Sequence, residues 1–314
     1  MGLKIYFASD AHGSDVCWRK FLKVFEHYKV DVGIFGGDLT GKMVVPIVEE
    51  QGTYSYHLFG RETKLADRGE VDEACEKIAR MGYYSYPCSR AEFERLSFDK
   101  EAVRMIFEKL IRDRMERWLQ QVYEKFGGRA HIYLSPGNDD SFIIDDVIRN
   151  SGVVVACEGE LVELPQGYSM ATSGWATPTP WKTPRETSEE KLGEILENLI
   201  SKAKDFKNLI CNFHCPPYNS GLDMAPQIRE DLSIKMGIGG IQFAPVGSIS
   251  VRKILQKYQP LLGLHGHIHE SAGFRRIGKT LCVNPGSEYA EGILRGYIIY
   301  LEGGKVAGHW RVSN

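Results

Sequence analysis

No stretch of this sequence approaches the roughly 18 consecutive apolar residues that a membrane-spanning helix requires, so no such helix is expected. Charge of one sign is not in excess either. Lys and Arg total 39 against 41 Asp and Glu, a net −2, which gives no global pull toward nucleic acid or anionic membrane. A local basic patch stays open, because totals say nothing about distribution. The seven cysteines, at 17, 75, 88, 157, 211, 215 and 282, contain no C-x-x-C pair and no regular framework. An odd, scattered set of this kind reads as reduced thiols and a cytoplasmic protein. The opening residues lack a signal-peptide profile and the Ser or Thr at position 6 that myristoylation favours, and read instead as a first strand, Leu3–Ala8. There is no internal repeat and no low-complexity segment.

What is present is a chain of 314 residues, room for one large domain or for a domain carrying an insertion. Short β-rich apolar runs alternate with amphipathic stretches, the pattern of a layered α/β protein. Strands are predicted at Leu3–Ala8, Val32–Phe35, His131–Leu134, Val153–Ala156, Leu161–Leu164, Ser169–Thr172, Leu209–Phe213, Leu261–His265, Gly273–Ile277, Thr280–Val283, Tyr297–Leu301 and Val306–Val312. The crowding of the last six predicts mixed sheets, two of them packed face to face. From Asp99 to Phe126, Val103, Phe107, Leu110, Ile111, Trp118, Leu119, Val122 and Phe126 keep helical spacing, with Ser97 or Asp99 as cap and Gly127-Gly128 as stop. Further helices are predicted at Ser188–Ala203 and Ser248–Tyr258. Met43–Leu96 reads as a mainly helical insertion with a hairpin around Glu50-Gln51-Gly52, a helix near Val71–Met81 and a capping box at Ser89–Glu92. It suits a cap over an active site, an interface between copies, or a surface excursion.

The chemistry-bearing residues fall at strand ends. Asp10-Ala11-His12 follows the first strand and Gly36-Gly37-Asp38 the second. Gly36–Lys42 also fits G-x-x-x-x-G-K, but Met43 replaces the Ser or Thr a phosphate-binding P-loop needs, and Asp38 inside the loop would repel phosphate. Pro136-Gly137-Asn138-Asp139-Asp140, Asn212-Phe213-His214 and His265-Gly266-His267-Ile268-His269 follow three later strands. Singly, each has an ordinary explanation: a cap, an Asx turn, a satisfied histidine. Together, five successive strand ends carrying metal-capable groups point to one site, because strand ends converge on one edge of such folds.

This order resembles that of the calcineurin-like metallophosphoesterase family, from residue 3 to about residue 290. Gly266-His267-Ile268-His269-Glu270-Ser271 and Asn284-Pro285-Gly286-Ser287 are especially similar to its prokaryotic members. The resemblance implies a four-layer αββα sandwich with two mixed β-sheets, here a single domain over 1–314 with an insertion at 43–96. It implies one metal on Asp10, His12 and His269, a second on Asn138, His214 and His267, and Asp38 bridging them. Two divalent ions would lower the pKa of a shared water and clamp the oxygens of an in-line displacement at phosphorus. Two aspartates and one hydroxide against two dications leave about +1 by formal counting, a charge that favours anionic phosphate. The O/N donor set suits Mn²⁺ first, with Fe, Zn²⁺ or Ni²⁺ as alternatives.

Many members of that family carry His directly after the Asn, where it serves the leaving group; here Asp139 stands there. A carboxyl near dications is expected to be a poor acid. Hydrolysis is therefore expected to favour aryl phosphates or phosphoanhydrides over simple alkyl esters, with Asp139 as an alternative orienting acceptor. Trp175, Arg185 and Tyr218 are candidate substrate contacts, and the Gly174–Pro184 and Tyr218–Ser248 loops are expected to set specificity. The expected partner is a small phosphomono- or phosphodiester. Nucleic acid is not favoured, since tracking a backbone wants a basic groove. A nuclease, a non-catalytic protein-binding scaffold and a homo-oligomer through the insertion remain competing readings.

Overall fold

The computed structural model describes residues 2–229 and 231–314; Met1, and Glu230 within the Tyr218–Ser248 loop, lie outside the described residues. A six-stranded sheet runs in the order Lys305–Ser313, Arg295–Glu302, Leu3–Ala8, Val32–Gly36, His131–Ser135, Val155–Ala156. A second runs Gly273–Ile277, Thr280–Asn284, Leu262–Leu264, Leu209–Phe213, Tyr168–Ser173, Leu161–Leu164.

The alternation along the first strand explains the layering. Leu3, Ile5 and Phe7 point into a core shared with Met170, Ile210, Leu264 and Val283 of the second sheet. Tyr6 and Ala8, on the opposite face, pack with Trp18, Phe21, Trp118 and Ile144 from helices outside the first sheet. Ala171, Leu209 and Cys211 do the same for the second sheet, against Leu192, Leu196, Val251 and Leu255. Strand period two thus feeds both faces of each sheet, and an αββα sandwich results.

The long helix spans Lys100–Phe126, capped by Asp99 Oδ1, which accepts from the Ala102 N–H at 2.9 Å, and stopped by Gly127 at φ +57°. Ile111, Trp118, Leu119 and Val122 are buried, but Val103 is 43% exposed. Ser188 and Ser248 cap their helices with side-chain oxygens. Helices at Asp15–Tyr28 and Ile143–Asn150 were not among those expected.

The insertion corrects the expectation of a mainly helical segment. Val44–Glu50, Thr53–Leu58, Arg61–Leu65 and Tyr84–Ser89 form a four-stranded sheet, on which the helix Arg68–Arg80 packs. Val45, Ile47, Tyr56, Leu65, Val71, Ala74 and Ile78 make its own small core. The expected hairpin around Glu50-Gln51-Gly52, the helix and the capping box are present; the other strands are short, and their charged or half-buried residues blur the alternation. Ser89 Oγ accepts from the Glu92 N–H at 3.2 Å.

Candidate metal centre

Leu3–Ala8, Val32–Gly36 and His131–Ser135 run parallel, as do Tyr168–Ser173, Leu209–Phe213 and Leu262–Leu264, so their C-terminal ends bring the expected residues to one place. Asp10, His12 and His269 present donor atoms within 4.8 Å of one another, and so do Asp38, His214 and His267. The groups adjoin: His12 Nε2 is 3.6 Å from Asp38 Oδ2, and His214 Nε2 is 3.4 Å from Asp38 Oδ2 and 3.9 Å from Asp10 Oδ1.

The backbone is bent to achieve this. Asp10, His12, Asp38 and His267 all have positive φ, at 59°, 42°, 50° and 67°. Such residues cost of order 1 kcal/mol or more apiece and persist where the surroundings over-determine them. Those surroundings can be named. The His267 N–H donates to Asp10 Oδ1 at 3.1 Å, and Ser287 Oγ donates to the Asp10 carbonyl at 2.7 Å. Asn284 Nδ2 donates to the carbonyls of Gly266 and Ile268, at 3.3 and 2.9 Å, which fixes the G-H-x-H turn. Gly37, at φ +116°, lets His214 lie flat against the chain, since a Cβ there would sit 2.3 Å from its Nδ1.

Asp140 was not among the expected site residues. Its carboxylate is fully buried and accepts from the N–H groups of Leu39, Thr40 and Gly137 at 2.8–2.9 Å and from Thr40 Oγ1 at 2.6 Å. It ties the Asp38 loop to the Asn138 loop. The G-N-D-D run was visible, but nothing in it distinguishes the inward Asp140 from Asp139.

Several buried donor atoms point inward with nothing to bond. Asn138 Oδ1 and His214 Nε2 have no hydrogen-bond partner, although Asn138 Nδ2 donates to Thr183 Oγ1 at 2.9 Å and His214 Nδ1 meets the Gly36 carbonyl at 2.9 Å. His12 Nε2 and His269 Nε2 face each other at 3.0 Å, a separation at which two lone pairs need a shared proton or cation. Buried polar atoms are normally satisfied, so this set fits a cationic ligand.

The electrostatics agree. Burial would raise Asp10 and Asp38, yet neighbouring histidines hold both well below the usual carboxylate range. Burial would lower His214, but Asp38 and Asp10 push it up to about 10. His267 goes the other way, to about 4, through burial and the charge of His214. The cluster thus couples acids and imidazoles strongly, as in a site built around positive charge. His265 is buried, with Nδ1 2.7 Å from the Phe213 carbonyl, and lies in neither group.

The depression expected at Asp139 comes from bound dications; its protein surroundings alone act the other way. Burial first, then Asp38, push it up to about 6, against the pull of Lys42. Its N–H donates to Asp38 Oδ1 at 3.0 Å, its Oδ2 lies 3.8 Å from His12 Nδ1, and it pairs with the Lys42 ammonium. In the sequence, Lys42 stood out only as part of the run that imitates a P-loop.

Arg185 is a correction. It is 1% exposed, pairs with Asp145, donates to the Asp140 carbonyl and lies 4.3 Å over the Phe142 ring, so it braces the site loops and is not free to contact substrate. Trp175 is half-buried beside Phe142, at 6.1 Å between ring centroids, and Tyr218 is 37% exposed. The Gly174–Pro184 loop reaches Asn138, through Thr183.

The profile of the calcineurin-like phosphoesterase family matches residues 3–271. The chain belongs to this family. The uncharacterized protein MJ1162 of Methanocaldococcus jannaschii is 31% identical over 152 residues, 48% of this chain and 61% of its own length. The chain therefore spans less than two thirds of that relative. One solved structure superposes over 100% of this chain and 99% of its own at 15% identity and a TM-score of 0.59. TT1561 of Thermus thermophilus does so over 94% of each chain at 14% identity and a TM-score of 0.50. These likenesses concern the fold. The calcineurin-like phosphoesterase family typically binds divalent metals. No described helix is long and apolar enough to cross a membrane.

Proposed function

We propose that this calcineurin-like phosphoesterase hydrolyses small phosphomono- or phosphodiesters, or phosphoanhydrides, at a dinuclear centre held by Asp10, His12, Asp38, Asn138, His214, His267 and His269. The observation that carries this reading is the pair of adjoining donor clusters, with Asn138 Oδ1 and His214 Nε2 buried and unbonded. Two divalent ions, Mn²⁺ preferred over Fe, Zn²⁺ or Ni²⁺, would activate water and neutralise the phosphoryl oxygens when bound. The residues supply the rest. Asp38 stands between the clusters, positive-φ turns aim Asp10, His12 and His267 inward, and Asp140 holds the Asp38 and Asn138 loops in register.

The absence of a histidine at 139 supports a preference for aryl or anhydride leaving groups. Changing Asp139→His should raise alkyl-ester turnover relative to aryl-ester turnover; no rise would sink that preference. The insertion in the single 1–314 domain acts as a cap, because its Gly82 and Tyr84 pack against the His12 and Gly41 backbones of the site loops. Seven unpaired cysteines fit a reducing compartment, and we place the protein in the cytoplasm.

The decisive experiment reconstitutes the full chain with Mn²⁺, Fe²⁺, Zn²⁺ or Ni²⁺ and assays aryl monoesters, aryl diesters, cyclic nucleotides and nucleoside diphosphate conjugates. About two ions per chain and metal-dependent turnover are expected. No bound metal, with no turnover of any ester, overturns the reading.

A further inference from the structure

The loop that follows Asp38 ends on a cation held at the rim of the cluster. Asp140 fixes Leu39 and Thr40, and the Gly41 N–H donates to the Tyr84 hydroxyl at 3.0 Å. Gly41 itself is crowded against the Gly82 carbonyl, where a Cβ would have no room. Lys42 therefore leaves a rigid base. Its ammonium pairs with Asp139, whose own carboxylate is 3.8 Å from His12 Nδ1 and whose N–H is on Asp38.

Two properties separate this pair from an ordinary surface contact. The Lys42 side chain is 46% exposed while Asp139 is 14% exposed, so the cation faces solvent and the anion faces the cluster. An ammonium also carries three donors, and Asp139 is its ion-pair partner among the described residues. Donors are thus left pointing toward whatever enters from solvent. A half-exposed ion pair adds little to stability, so stability alone accounts poorly for a cation among the groups around a metal-capable cluster. His12, Asp38 and Asp139 also have metal-capable atoms within 4.8 Å of one another, and Lys42 pairs with Oδ2 of this Asp139.

We propose that Lys42 binds a non-bridging oxygen of the substrate's phosphate group, with Asp139 as a positioning residue that holds the ammonium over the cluster. Lysine suits this role as a mobile point charge that needs no fixed fork geometry. The inference rests on the phosphoesterase reading above, and adds a specificity residue that neither metal cluster contains.

The test uses the metal-reconstituted full chain as wild type, Lys42→Met, Lys42→Arg and Asp139→Asn. Inorganic phosphate binding is measured by calorimetry, metal content by mass spectrometry, and KM and kcat on an aryl phosphate ester. Lys42→Met should keep its metal and weaken phosphate binding by about tenfold or more, the worth of one hydrogen bond to a charged group, with KM rising in parallel. Lys42→Arg should recover most of the phosphate affinity, and Asp139→Asn should fall between. Recovery by Arg distinguishes contact from a packing role. Wild-type phosphate affinity in metal-loaded Lys42→Met overturns the proposal, as does a loss that only tracks lost metal. A wild type with no metal-dependent turnover defeats the phosphoesterase reading itself, a separate outcome.

Discussion

Replacing Asp140 by Asn is the sharpest probe of how the candidate centre is held. The carboxylate accepts four hydrogen bonds with no exposure to solvent: Leu39 and Gly137 N–H on Oδ2, Thr40 N–H and hydroxyl on Oδ1. An asparagine keeps one acceptor oxygen. If that oxygen faces Leu39 and Gly137, the new NH₂ group meets the Thr40 hydroxyl, which can turn to accept, and the Thr40 N–H, which cannot. One buried N–H is then orphaned, at about 1–3 kcal/mol, and the two retained bonds fall from charge-assisted to neutral strength, losing about 1 kcal/mol each. Opposing this, burial and Asp38 already raise the Asp140 pKa, so removing the charge returns part of a desolvation cost. The net loss should be about 2–4 kcal/mol, or roughly 3–6 °C in melting temperature for a chain of this size. Because the same bonds join the Asp38 and Asn138 loops, metal affinity should fall by about 10–100-fold. Differential scanning fluorimetry and metal titration would read both. An unchanged melting temperature together with unchanged metal affinity would refute the clamp.

Three further outcomes are expected. Arg185→Met should lower stability by roughly 2–4 kcal/mol, because Asp145 loses its partner, while KM for a metal-loaded enzyme stays near wild type; a rise in KM without loss of stability would restore the substrate-contact role. Gly37→Ala should cost about 1 kcal/mol or more in backbone strain and displace His214, so that bound metal falls below wild type; full metal content would show that the turn is adaptable. Tyr84 is buried, and burial pushes its hydroxyl up to about 12. A phenol that is harder to ionise in the folded state stabilises fully below its unfolded pKa of about 10 and loses that contribution as pH rises to about 12, about 3 kcal/mol in all. Tyr84→Phe should be less stable at neutral pH by about 1 kcal/mol, for the lost Gly41 bond, and flatter through the alkaline range. Parallel alkaline melting curves for the two proteins would contradict this.

Strand ends and their chemistry were legible in the sequence because they are local. Short β-rich apolar runs marked Leu3–Ala8 and Leu209–Phe213, and Asp10, His12, Asp38, Asn138, His214, His267 and His269 stood at or just beyond such strand ends. Parallel connections then leave little choice about which edge those residues share. The insertion was misread as mainly helical because its strands are short and mostly exposed or half-buried, so period two is weak there.

Direction and partnership were decided only by tertiary structure. Nothing local tells Asp140, which turns inward to four donors, from Asp139, which turns to Lys42. Nothing local shows that Arg185 finds Asp145 rather than solvent. An ionisable side chain reads the same in sequence whether buried or exposed, and its role follows from the charges and donors that a distant segment brings within a few ångströms.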